Sequence, residues 1–235
     1  MKKTKLILSI LASTIIASQV AVASAVQMIS FDDDSIVQTG TVNYVAGSTL
    51  SGTDILFSSV IGLNTPMNDG TVLTLENGKL NFVTGPNAGT IGDVTTFSGG
   101  GYFTIRGDLY KNGATLVNTS SDLLVEGTFS EATLTEFFDG TSLAFVSAGT
   151  DVKNQDLVDF YGVNADTFSF VSSQLSLLGV TPDGNGGFTA KVSNADFDNS
   201  PAVPDNSPAV SDESSTVALL GLGLAGLGAI ARRRK

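Results

Sequence analysis

Alternation of apolar and polar residues between residues 36 and 192 is the feature that most constrains the fold of this chain. Gly, Asn, Asp and Pro interrupt the alternating runs about every eight to twelve residues. Because successive side chains of a β-strand point to opposite faces, such runs are typical of strands with one buried face. The pattern predicts an all-β fold, and we expect a single antiparallel β-sandwich with one short helix. The predicted strands include residues 36–45, 54–60, 72–75, 79–83, 122–129, 144–146, 168–171 and 188–192.

Asn-Gly pairs predict two β-hairpins, because these residues readily adopt the positive φ values of a type I′ turn. Asn77 and Gly78 would join residues 72–75 to 79–83, and Asn112 and Gly113 follow the strand that contains Phe103. Three glycines at residues 99–101 are predicted to form a turn before Tyr102. The expected core consists of large apolar side chains at inward positions, namely Phe103, Ile105, Leu124, Phe129, Phe145, Phe168 and Phe170.

One internal helix is predicted at residues 154–161, where Leu157, Phe160 and Tyr161 fall on one face at helical spacing. Gly162 fits the end of this helix, since glycine readily takes the left-handed conformation found there. We expect the helix to cover one open end of the sandwich.

Residues 1–25 have the three parts of a bacterial signal peptide. Lysines at positions 2, 3 and 5 precede an apolar run at residues 6–17, and small residues follow as far as Ala25. We expect cleavage after Ala25, with a cut after Ala23 and a retained membrane anchor as the alternatives. The partners predicted for this step are the Sec machinery and signal peptidase.

The charge of the chain and two missing residue types exclude several classes of function. Only five basic residues lie between the signal peptide and the basic C-terminus, against all 23 acidic residues, which gives a formal charge of −18. Such a charge repels nucleic acid and anionic lipid, and we expect no nucleic-acid partner. The chain has neither cysteine nor histidine, which excludes disulfides, thiol nucleophiles, a Ser-His-Asp triad and most zinc sites.

Acidic residues near both ends of the domain are the candidates for metal binding. Asp32, Asp34, Asp196 and Asp198 could supply oxygen ligands to Ca²⁺. A solvated turn is the alternative interpretation of these residues. We expect no cofactor, and we keep Ca²⁺ as the alternative.

Three glutamates, Glu126, Glu131 and Glu136, cluster in one part of the domain. A glycoside hydrolase needs two carboxylates across a cleft, together with aromatic side chains that hold the sugar. Tryptophan is absent and the chain has only four tyrosines. We therefore expect a protein that is not an enzyme.

The C-terminal region divides into a linker at residues 196–215 and a tail at residues 216–235. The linker is rich in Asp, Asn, Ser and Pro, which favour an extended chain. The tail combines an uncharged stretch at residues 217–231 with the basic end Arg232, Arg233, Arg234 and Lys235. This order predicts a transmembrane helix with a basic stop-transfer signal in the cytoplasm, and a folded domain at residues 26–195 across the membrane.

These blocks resemble the PEP-CTERM family of bacterial sorting tails, and most closely its VPDSG variant. The sorting motif that carries the resemblance consists of Val210, Ser211, Asp212, Glu213, Ser214, Ser215 and Thr216. Ser211 stands where the family has proline, and Glu213 and Ser214 replace its serine and glycine. The resemblance implies that an exosortase in the inner membrane cuts near this motif and releases or transfers the protein outward.

We therefore expect an exported, non-enzymatic protein of the envelope, extracellular matrix or cell surface of a Gram-negative-type bacterium. The tail would anchor it transiently in the inner membrane, with its domain in the periplasm, before it reaches the outer surface. The alternative is a β-sandwich module that binds a glycan or calcium at the cell surface, with a surface polysaccharide as its partner.

Overall fold

The computed structural model describes residues 27–33, 40–136, 142–166, 168 and 170–201 of the chain. Within these ranges the chain forms twelve β-strands and one α-helix, which confirms the predicted all-β class with a short helix. No helix in the described ranges is long and apolar enough to cross a membrane. The signal peptide with Ala23 and Ala25, the sorting motif and the tail at residues 216–235 all lie outside the described residues.

The elements follow one another along the chain as β1 (Met28–Asp32), β2 (Thr41–Tyr44), β3 (Leu50–Leu63), β4 (Val72–Thr84), β5 (Asn87–Ile91), β6 (Val94–Phe97), β7 (Gly100–Lys111), β8 (Thr115–Leu116), β9 (Leu123–Glu136), β10 (Ser142–Lys153), α1 (Gln155–Tyr161), β11 (Phe170–Pro182) and β12 (Phe188–Ser200).

The strands form one antiparallel sheet that closes on itself. Strands β1 and β2 both pair with β3 and β12, so they act as two parts of a single barrel strand. From there the pairing runs through β3, β4, β7, β9, β10, β11 and β12, and β12 returns to β1. The β5–β6 hairpin extends the sheet beside β9, and β8 extends it beside β7.

The described strands therefore build a closed eight-stranded antiparallel barrel in place of the predicted sandwich. The two architectures share the same alternation of buried and exposed residues along each strand. They differ in whether the edge strands pair with each other. In this barrel β1 pairs with β12 and β7 pairs with β9, so the strands form one closed sheet. Alternation in the sequence carries no information about that pairing.

The predicted hairpin at Asn77 and Gly78 is wrong, because β4 continues through both residues. Asn77 has the expected positive φ, 54°, but the pair forms a bulge at which the register shifts against both β3 and β7. A Cβ on Gly78 would lie 2.3 Å from the carbonyl oxygen of Phe57, which leaves no room for a side chain. The second predicted turn is confirmed: Asn112 and Gly113 have φ values of 54° and 65° and join β7 to β8.

Phenylalanine rings fill the interior of the barrel. Six of the seven predicted core residues are at most 4% exposed, while the side chain of the seventh, Phe170, is outside the description. The ring centroid of Phe103 lies 5.0 Å from that of Phe129 and 5.2 Å from that of Phe197. Burial of each such side chain stabilises the fold by about 1.5–3 kcal/mol. In a chain without cysteine, this packing takes the place of disulfides.

The helix α1 covers one end of the barrel, as predicted. Asn154 caps it by accepting a hydrogen bond from a backbone N–H of the first turn, and Gly162 ends it with a φ of 68°. Tyr161 is fully buried, and its hydroxyl lies 2.9 Å from the carbonyl oxygen of Thr71 and 3.1 Å from that of Val60. These contacts hold the helix against β3 and the residue that precedes β4.

The last strand extends past the predicted end of the domain. A linker is predicted from residue 196, whereas β12 continues to Ser200. Phe197 and Asn199 are buried there, and Asp196 and Asp198 are only partly exposed on the outer face. The many polar residues of this segment are typical of a linker. They alternate with buried residues, however, as in a strand that has one buried face.

We expect Phe103→Ala to lower the free energy of unfolding by about 3–5 kcal/mol, because the variant leaves a cavity among packed rings. The neighbouring residue Tyr102 is 56% exposed and gives a matched control: Tyr102→Ala should change it by less than about 1 kcal/mol. Urea denaturation of the two full-length variants measures both values. A smaller loss for Phe103→Ala than for Tyr102→Ala would show that the rings do not form the core.

Candidate functional site

Three of the four predicted calcium ligands lie on one outer surface. Asp32 in β1 pairs in register with Asp196 in β12, and Asp198 follows two residues later on the same face. Asp34 is outside the described residues. Asn194 donates a hydrogen bond of 3.0 Å to Asp196. Among the residues that the structure describes, no group of three or more acidic side chains has a geometry that could hold a metal ion, so calcium binding stays a prediction.

A groove of about 550 Å³ crosses the outer face of the barrel over β7, β9 and β10. Two outward-facing residues from each strand form this outer groove: Tyr102, Thr104, Glu126, Thr128, Thr150 and Val152. Glu126 lies between Thr104 and Val152 in the register of the three strands, and Thr128 lies beside Thr150. With the usual strand spacing and rise, these six residues cover an area roughly 10 Å wide across the strands and roughly 7 Å long along them.

A β-bulge raises Tyr102 at one side of the outer groove. Between two registered pairs of β7 and β9, Gly101 and Tyr102 together face the single residue Thr128. Gly101 has a φ of 73°, and a Cβ there would lie 2.0 Å from the carbonyl oxygen of Val83. This is the geometry of a bulge that begins with a left-handed glycine, and such bulges redirect the side chain that follows. The turn predicted at residues 99–101 is therefore confirmed only at Gly99, which lies in the bend between β6 and β7, while Gly101 belongs to a bulge inside β7.

Glycine also shapes the floor of the outer groove. A Cβ on Gly127 would lie 2.4 Å from the Phe103 ring and 2.3 Å from the carbonyl oxygen of Thr150. The backbone of β9 therefore approaches both the core ring and β10 closely at this point. A side chain at residue 127 would push these strands apart and change the shape of the outer face.

An ion pair is buried beneath this floor, inside the barrel. Asp151 and Lys153 are two residues apart on β10, so both side chains point inward. The Lys153 Nζ lies 2.6 Å from Asp151 Oδ1, and the two side chains are 1% and 0% exposed. Lys153 also donates a hydrogen bond to the carbonyl oxygen of Phe168 and lies 5.3 Å from the centre of its ring.

Burial governs the proton affinity of both members of this pair. It raises the pKa of Asp151 to about 6, although the attraction of Lys153 opposes the shift. It lowers the pKa of Lys153, against the attraction of Asp151. Asp151 Oδ2 accepts no hydrogen bond from any described residue, which adds to the desolvation cost. Removal of two charges from water thus outweighs their mutual attraction.

The three clustered glutamates do not converge. Glu126 faces the outer groove, and Glu131 lies five residues further along β9, about 16 Å at the usual strand rise. Glu136 is at the far end of the same strand. The two carboxyl groups of a glycoside hydrolase are about 5–9.5 Å apart, so these positions do not form such a pair.

Neither the outer groove nor the buried ion pair is predicted from the sequence. Alternation alone could have placed the groove residues outward, but the pairing of β7 with β9 was needed to bring them together. Comparisons with protein-family models, curated proteins and solved structures find no match to this chain.

The raised pKa of Asp151 leads to a test of stability against pH. Its reference value is 3.8 and its folded value is about 6, so the folded state binds the proton more tightly. The stability that Asp151 contributes is full below about pH 4 and is lost as the pH rises through 6. We expect the unfolding free energy of the wild type, relative to Asp151→Asn, to fall by up to roughly 3 kcal/mol between pH 4 and pH 7.

Urea denaturation of both proteins at each pH measures that difference. Glu131→Gln, which removes an exposed carboxyl from the outer face of β9, is the matched control, and its difference from the wild type should vary much less with pH. A wild-type advantage over Asp151→Asn that stays constant, or that grows as the pH rises, would contradict the prediction.

Proposed function

We propose that this chain is an exported, non-enzymatic protein of the bacterial envelope, extracellular matrix or cell surface, delivered by its two terminal segments. The observation that best supports this proposal is the pair of terminal segments, a signal-peptide pattern at residues 1–25 and the motif, apolar stretch and basic end at residues 210–235. The position of the domain's two ends is compatible with both segments, although adjacent ends are common in domains. Ile29 near the start of β1 pairs in register with Asn199 near the end of β12. The chain therefore enters and leaves the barrel side by side, at the same end.

The end of the barrel from which both segments leave is the one that α1 covers. Met28 pairs with Leu63 at the end of β3, and the loop that follows β3 contacts the helix. In that loop the backbone N–H of Met67 donates a hydrogen bond of 3.0 Å to the carbonyl oxygen of Tyr161. Both terminal segments therefore leave the domain beside α1.

The terminal segments supply the rest of the proposal. The Sec machinery exports the chain, and signal peptidase cuts after Ala25. The tail at residues 216–235 then holds the domain on the periplasmic side of the inner membrane, with Arg232, Arg233, Arg234 and Lys235 in the cytoplasm. An exosortase recognises the segment from Val210 through Thr216, and processing passes the domain to the outer surface or matrix.

Mass spectrometry of the C-terminus tests this proposal. In a host that carries the exosortase we expect a C-terminus upstream of Val217, and in a host without it we expect an intact Lys235. Asp212→Ala should block processing, because it alters the motif next to the apolar stretch. Asp205→Ala is the matched control, since it changes a similar Val-Pro-Asp triplet further upstream and should leave processing intact. An intact Lys235 in both hosts would refute processing by the exosortase.

A further inference from the structure

We propose that the outer groove over β7, β9 and β10 binds an uncharged polysaccharide, with the ring of Tyr102 as the surface on which a sugar stacks. This inference deepens the proposed function by naming a binding site and a class of ligand. It rests on that function only because a protein at the cell surface or in the matrix meets such a ligand.

Tyr102 presents an exposed aromatic ring at the side of the outer groove. Tyr102 is 56% exposed although it is large and aromatic, and it stands in a bulge that Gly101 makes sterically feasible. An exposed ring at the side of a groove offers a flat apolar face, with a hydroxyl at its tip for hydrogen bonding. Val152, which is 70% exposed on β10, adds a second apolar surface across the groove.

The polar side chains of the outer groove can form hydrogen bonds with a sugar. The hydroxyls of Thr104, Thr128 and Thr150 can each donate and accept a hydrogen bond, as sugar hydroxyls do. The carboxylate of Glu126 lies among them and can accept hydrogen bonds from two neighbouring hydroxyls. Glu126, Thr128 and Thr150 are exposed and Thr104 is partly exposed, so their polar atoms can be reached by a ligand.

The charge of the groove selects an uncharged ligand. Its lining contains two acidic residues, Glu126 and Asp151, of which only Glu126 faces outward, and no basic side chain from the described residues. The domain around it is strongly acidic, which repels anionic polysaccharides. The outer groove is open to solvent along its length and has a volume of about 550 Å³, which suits a chain that lies across the surface better than a small ligand that is enclosed.

A second concavity on the same barrel offers a contrast. It crosses β10, β11, β12 and β1, and its lining includes Val146, Gln174, Asp196 and Asp198 but no aromatic residue. Both of its carboxylates face outward, whereas Asp151 of the outer groove is buried, and it has no ring on which a sugar could stack. Val146, which is 47% exposed there, provides the matched control for substitutions in the outer groove.

The test is isothermal titration of the full chain, purified in detergent, with hexasaccharides of glucose, mannose and galactose, and with oligogalacturonate as the acidic comparison. We expect saturable binding of at least one neutral hexasaccharide and none of oligogalacturonate. Tyr102→Ala should weaken binding at least about tenfold, whereas Tyr102→Phe, which keeps the ring, should remain within about threefold of the wild type. Val146→Ala should bind as the wild type does.

Circular dichroism of each variant confirms that a loss of binding is not a loss of fold. The proposal is overturned if no neutral hexasaccharide binds, if oligogalacturonate binds in their place, or if Tyr102→Ala and Val146→Ala bind equally well. These results are independent of the C-terminal processing, because binding is measured on purified protein and processing is measured in the host.

Discussion

Pairing between the first and last strands is the constraint on which the rest of the structure depends. Strand β12 pairs with β1 and also with β2, so the last strand joins both parts of the first barrel strand. A sheet that closes leaves no open edge within the barrel and encloses its apolar faces on all sides. The phenylalanine core exists because of this closure. In a chain without cysteine, the seam between the first and last strands is held by backbone hydrogen bonds and packing alone.

Glycine at a few positions allows the barrel strands to bend without ending. Gly78 and Gly101 both lie where a Cβ would collide with a carbonyl oxygen of the neighbouring strand, and both accompany a shift of register. Each bulge changes the local direction of its strand. On β7 the same device leaves an aromatic ring on the outer face. The bulge at Gly101 therefore both bends β7 and leaves Tyr102 exposed.

The longer strands, the helix and most of the core could be predicted from local patterns, but β1, β5, β6, β8 and the pairing of distant strands could not. Asn112 and Gly113 form the predicted turn, whereas Asn77 and Gly78 have the same sequence and form a bulge within β4. The backbone conformation of Asn77 is the one expected, and only its neighbours decide its role. The outer groove depends on pairing as well: β9 and β10 follow one another along the chain, but β7 pairs with β9 across the intervening β8 segment.

Polar residues inside the barrel are a second feature that could not be predicted from the sequence. Asp151, Lys153 and Asn199 occupy inward positions, although apolar character is the signal that identifies such positions in a sequence. Neither polar atom of the Asn199 side chain has a hydrogen-bond partner among the described residues. Buried polar groups of this kind cost stability and depend on the exact packing around them. They can be recognised only when the surrounding strands are in place.

The antiparallel seam also determines how the domain would respond to mechanical load. A force between residues 27 and 201 would separate β1 from β12 one registered pair at a time, as a zipper opens, because both ends leave the barrel together. A force applied along β12 would instead load the strand pairs on both of its sides together. Many hydrogen bonds would then have to break at once, since they lie perpendicular to the strands. The barrel therefore resists a pull along β12 better than a pull that separates residue 27 from residue 201.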